Sequence, residues 1–72
     1  MLRFDSSALF HALDEQRQKR AMTWKQLSVE IGVAESTILK ARNGGRMEVD
    51  GMLQMVAWLN VPVETFVKKT EF

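Results

Sequence analysis

The chain contains no cysteine. That excludes a disulfide framework and a thiolate metal site. Its one histidine, His11, is too few to anchor a metal. An apolar run approaching the ~18 residues of a membrane span is also missing. The residues after Met1, Leu-Arg-Phe-Asp-Ser-Ser, lack the apolar stretch and small-residue cleavage site of a secretory signal, so the expected location is the cytoplasm. No nucleophile, base and orienting group stand in a recognisable pattern, and no phosphate-cradling glycine loop is followed by lysine. Asp14 and Glu15 are neighbours, but adjacent side chains on a helix diverge and make no acid–base pair. An enzyme is not expected, and neither is a metal, cofactor or small-molecule ligand.

Net charge is also scarce, only +1 over 72 residues. Its distribution says more. Residues 17 to 46 hold seven bases (Arg17, Lys19, Arg20, Lys25, Lys40, Arg42, Arg46) against two acids, Glu30 and Glu35, a local charge of +5. The segments on either side each come to −2. Such polarisation favours an anionic partner on one face. Lys68 and Lys69 read as a solvated helix end.

What is present is helical. A chain of 72 residues supports one domain with one small core. Asp5, Ser6 and Ser7 are good N-caps ahead of Leu9, Phe10 and Leu13, which predicts a first helix over about residues 7 to 20. Thr23 followed by Gln26 has capping-box spacing and opens a second helix, 24 to 31, with Leu27 and Ile31 on one face. Gly32 ends it. A third helix follows at once, 34 to 43, with Ile38 and Ala41 inward and Asn43-Gly44-Gly45 closing it. A fourth is expected over 49 to 59, with Met52, Leu53, Met55, Val56 and Leu59 on its apolar side and Asn60 as C-cap. Pro62 is placed to start a fifth, 63 to 69. Met47, Met52 and Met55 read as core filling. Alternating strand patterns are absent, so the expectation is an all-α domain of five short helices.

The tight corner between the second and third helices resembles the DNA-binding domain of the Cro and phage-repressor family, the Xre-type helix-turn-helix. The likeness runs from about Arg17 to Phe66. It rests on Thr23, Leu27, Gly32-Val33, Ser36-Thr37-Ile38, Asn43-Gly44, Leu53, Leu59, Val61 and Phe66. Ser28, where the family uses alanine, is still small. The resemblance implies a compact five-helix, lambda-repressor-like fold and a bacterial or phage-encoded regulator that binds operator DNA as a homodimer. Three positions depart from the family pattern. Trp24 replaces a phosphate-contacting glutamine. Arg42 replaces the glutamate that pairs with an arginine at position 17. Met47-Glu48 replaces a proline.

In that setting the third helix is the reader. Its outward residues Glu35, Ser36, Leu39, Lys40 and Asn43 are the base-reading candidates, since Lys40 can donate to guanine, Glu35 can accept from cytosine and Asn43 can contact adenine or serve as a C-cap. Leu39 meets either a thymine methyl or the neighbouring Met47 and loop. Trp24, Lys25, Thr37 and Arg46 are the phosphate candidates, helped by the N–H groups opening the second helix. Val63, Phe66, Val67 and Phe72 are the candidates for a dimer surface. The competing reading is a protein-interaction module on a helix-turn-helix scaffold, such as an antitoxin or a subunit of a complex.

Overall fold

A computed structural model describes residues 1 to 69, so Phe72 lies outside the described residues. The order is β1 (Leu2–Phe4), α1 (Ser6–Lys19), α2 (Trp24–Ile31), α3 (Glu35–Ala41), α4 (Val49–Leu59), a 3₁₀ turn (Val63–Phe66) and β2 (Val67–Lys69). The domain is mostly helical, with four α-helices and a two-stranded sheet joining its ends. Among the described residues, no helix is long and apolar enough to cross a membrane.

Local chemistry explains the helix boundaries. Asp5 caps α1, its Oδ1 accepting from the Ala8 N–H at 3.0 Å. The Thr23 hydroxyl accepts from Gln26 N–H at 3.1 Å, and the Gln26 carbonyl accepts from Thr23 N–H at 2.9 Å, completing the box that starts α2. Gly32 ends α2 with a left-handed φ of 88°. At the end of α1 the left-handed residue is not glycine. Ala21 has φ 53°, and the amides of Ala21 and Met22 close back on the carbonyls of Gln18 and Arg17. The third helix is shorter than its pattern predicts. It stops at Ala41, and Gly44 N–H returns to the Ala41 carbonyl at 3.0 Å.

Leu9, Leu13, Leu27, Ile38 and Met55 are fully buried and draw α1, α2, α3 and α4 onto one core. Leu53 does not join them. It is 47% exposed, on the solvent side of α4.

The expected fifth helix is absent, and the domain is not all-α. Pro62 instead precedes a four-residue 3₁₀ turn, after which Val67 is extended at φ −91°, ψ 128°. β2 then pairs antiparallel with β1 in the register Leu2↔Lys69, Arg3↔Lys68 and Phe4↔Val67. Strands of three residues are too short to pair on their own. Tertiary contacts hold them: Phe4 meets Phe66 at a centroid distance of 6.0 Å, and Asp5 N–H donates to the Phe66 carbonyl at 2.6 Å.

Candidate nucleic-acid interface

Three residues, Gly32-Val33-Ala34, separate α2 from α3. Val33 N–H returns to the Ser28 carbonyl at 3.2 Å, and Ser28 itself is buried and small, as a close helix approach requires. On the other side, Gly51 of α4 is buried against α3. A Cβ there would sit 3.5 Å from the Thr37 methyl and 3.7 Å from a Val33 methyl. Glycine inside a helix costs about 1 kcal/mol relative to alanine. Its presence at position 51 is a sequence sign of close helix packing.

Ile38 and Ala41 face inward, and Glu35, Ser36, Lys40 and Asn43 are exposed. Leu39 is half-buried and packs against the core, as does Met47. Thr37 is also half-buried, with its methyl toward Gly51. Asn43 lies in the turn after α3, where Arg42 takes the C-cap position. The Asn43 side chain makes no hydrogen bond among the described residues.

Trp24 is packed into the α1–α2 corner. It is half-buried, stacked on Phe10 at 5.0 Å with 18° between the rings, and the Arg17 guanidinium lies 4.5 Å over the indole. Arg17 also binds Asp14 through Nε at 3.0 Å and Nη2 at 2.7 Å, and it donates Nη1 to the Met22 carbonyl at 3.0 Å. The hydrogen bond from Arg17 is the largest influence on the Asp14 carboxyl and holds its pKa below the ordinary 3.8. Desolvation opposes it, and Gln18 adds to it. The N–H groups of Thr23 and Gln26 are already taken by the capping box, so fewer remain at the start of α2 for a phosphate.

The seven bases between residues 17 and 46 divide cleanly. Arg17 is held by Asp14, Lys19 by Glu15 at 3.2 Å, and Arg20 by Glu30 at 3.8 Å, with its guanidinium 4.7 Å over Trp58. Lys25, Lys40, Arg42 and Arg46 are exposed and have no ion pair among the described residues. They lie at the start of α2, late in α3 and in the loop beyond it.

The dimer candidates among the described residues differ in exposure. Phe66 is only 6% exposed and is a core residue, because its ring packs on Phe4. Val63 is half-buried against the core, and Val67 lies in β2 rather than on a helix, 36% exposed. The larger exposed apolar side chains are elsewhere, at Met1, Leu2, Val29 and Val49.

Sequence reasoning passed over Arg3. β1 brings it to a cleft of about 350 Å³ whose other wall is the α3–α4 loop, including Gly44, Gly45 and Arg46. Ser6 spans the two walls, its hydroxyl donating to the Gly45 carbonyl at 3.2 Å. Among the described residues, no group of three or more histidine or acidic side chains is placed to hold a metal. No family model matches the chain, and no curated protein or solved structure matches it.

Proposed function

We propose that this chain is a sequence-specific DNA-binding regulator, a repressor by the resemblance of its motif, that reads the major groove with α3. The observation that carries the proposal is the division of the bases. Folding neutralises Arg17, Lys19 and Arg20 and leaves Lys40, Arg42 and Arg46 unpaired on α3 and the loop beyond it, with Lys25 unpaired at the start of α2. An unpaired base on a solvated surface contributes little to folding, whereas a group of them around a projecting helix supplies phosphate affinity. Glu35, Ser36, Lys40 and Asn43 then provide acceptors and donors for base edges. Dimerisation completes the reading. One short helix reads few base pairs, and two copies spaced about 34 Å apart read both halves of a palindrome. A long axis of 39 Å is compatible with that spacing for copies set end to end.

The test is selection of bound duplexes from a random pool, followed by a salt titration on the enriched sequence. A palindromic consensus with a steep loss of affinity as salt rises supports the proposal. No binding to any duplex at low salt refutes it. That outcome favours a protein-interaction module, which the exposed Val29, Val49 and Leu53, at 75%, 59% and 47%, would serve.

A further inference from the structure

The cleft between β1 and the α3–α4 loop places two arginines from distant parts of the chain at one opening. Arg3 comes from the first strand and Arg46 from the loop that follows the reading helix. Both are exposed, and neither has an ion pair among the described residues. The strand register sets Arg3 directly opposite Lys68. Like charges across a strand pair destabilise it. Asp5 compensates Lys68 at 3.8 Å, and no described acid compensates Arg3. A third observation concerns the floor. Phe4, Met47 and Met52 line it, and Gly44 brings bare backbone to the wall at a φ of 72°. Two arginines lining one cleft match a tetrahedral oxyanion better than a neutral ligand, because each guanidinium carries a fork of donors.

We infer that this cleft is an anion site taking a phosphate group, with Arg3 and Arg46 as its two charged contacts. Phosphate chemistry has two sources here. One is the DNA backbone beside the groove that α3 enters, and that version rests on the DNA-binding reading. The other is a free phosphate-bearing molecule, which the site would hold with or without DNA. In both cases the occupant ties β1 to the loop carrying Arg46, alongside the Ser6 to Gly45 hydrogen bond.

The experiment follows backbone amide shifts of the full chain while inorganic phosphate replaces chloride at constant ionic strength. A second arm titrates duplex DNA. Both are repeated on Arg3→Gln and Arg46→Gln, which alter exposed side chains, with thermal melting to verify folding. Saturable phosphate shifts at residues 3, 44, 45 and 46 that disappear in either variant establish the site. If Arg3→Gln also lowers the salt dependence of duplex binding by about one, the source is the DNA backbone. If that dependence is unchanged, or no duplex binds, the source is a free phosphate, and the anion site stands even where the DNA reading has failed. If folded Arg3→Gln matches the wild type in both arms, with no cleft-specific shift from phosphate and no change in duplex binding, the inference is overturned.

Discussion

Replacing Arg17 with methionine keeps an unbranched side chain and removes its charge and donors. Arg17 makes three kinds of contact that the substitution abolishes. The pair with Asp14 is partly exposed, with side-chain exposures of 22% and 28%, and such a pair is worth about 0.5–1 kcal/mol. The bond from Nη1 to the Met22 carbonyl adds about 1 kcal/mol. The guanidinium over Trp24 adds roughly 0.5–1 kcal/mol. The expected cost is therefore about 2 kcal/mol, a large share of the roughly 4–11 kcal/mol typical of a domain this size. It corresponds to a Tm lower by roughly 8–16 °C. Urea unfolding of the wild type, Arg17→Met and Asp14→Asn measures it, and Asp14→Asn should cost less than about 1 kcal/mol because only the charge of the pair is lost. Acid gives a second reading. The Asp14 pKa is lower in the folded protein than its ordinary 3.8, so its contribution is complete above 3.8 and is lost as pH falls through the folded value. The gap between wild type and Arg17→Met must therefore narrow below pH 3.8 without closing, since the carbonyl and indole contacts do not titrate. A cost for Arg17→Met below about 0.5 kcal/mol, or a gap that ignores acid, would refute this account of the α1–α2 corner.

Ala21→Gly should stabilise the protein by about 0.5–1 kcal/mol, because a left-handed backbone costs a non-glycine residue ~1–2 kcal/mol and glycine gives back up to about 1 kcal/mol in the unfolded chain. A lower urea midpoint at unchanged m would contradict the φ of 53° at that position. Ile38→Ala empties a fully buried site and should cost about 2–5 kcal/mol, seen as partial loss of helical circular dichroism at room temperature. A cost under roughly 1 kcal/mol would mean that α3 is not anchored through Ile38. Lys40→Ala should leave melting unchanged and weaken binding to a selected duplex by about 5- to 150-fold, the range of one good base contact. Equal affinity would remove Lys40 from the reading face.

The parts of this fold that were legible in the sequence are those decided within a few residues. Thr23 with Gln26, Gly32 and Asn60 each set a helix end through contacts of one turn or less, and the structure places all of them there. The core followed from spacing alone, as Leu9, Leu13, Leu27, Ile31 and Ile38 show. What failed depends on partners distant in sequence. Leu2-Arg3-Phe4 is too short for any pattern, and only the pairing with Val67–Lys69 makes it a strand. The same pairing pulls Val67 out of the expected helix and commits Phe66 to the core. Leu53 was misplaced for a related reason. α4 already buries Gly51, Met55 and Val56, and the small face at Gly51 turns Leu53 outward.

Asp14, Arg17, Trp24 and Phe10 are physically coupled. Arg17 takes its acid from its own helix rather than from across the domain. Asp14, three residues back on α1, supplies it at 2.7 Å. That turn leaves the guanidinium over position 24, where a glutamine would offer it no face. Trp24 offers one, and its ring in turn stacks on Phe10. The indole thus does structural work at the start of α2. Arg42 is exposed and has no ion pair among the described residues. Asp5, Asp14, Glu15 and Glu30 pair with Lys68, Arg17, Lys19 and Arg20, all outside α3, so Lys40, Arg42 and Arg46 keep their charge on α3 and the loop beyond it.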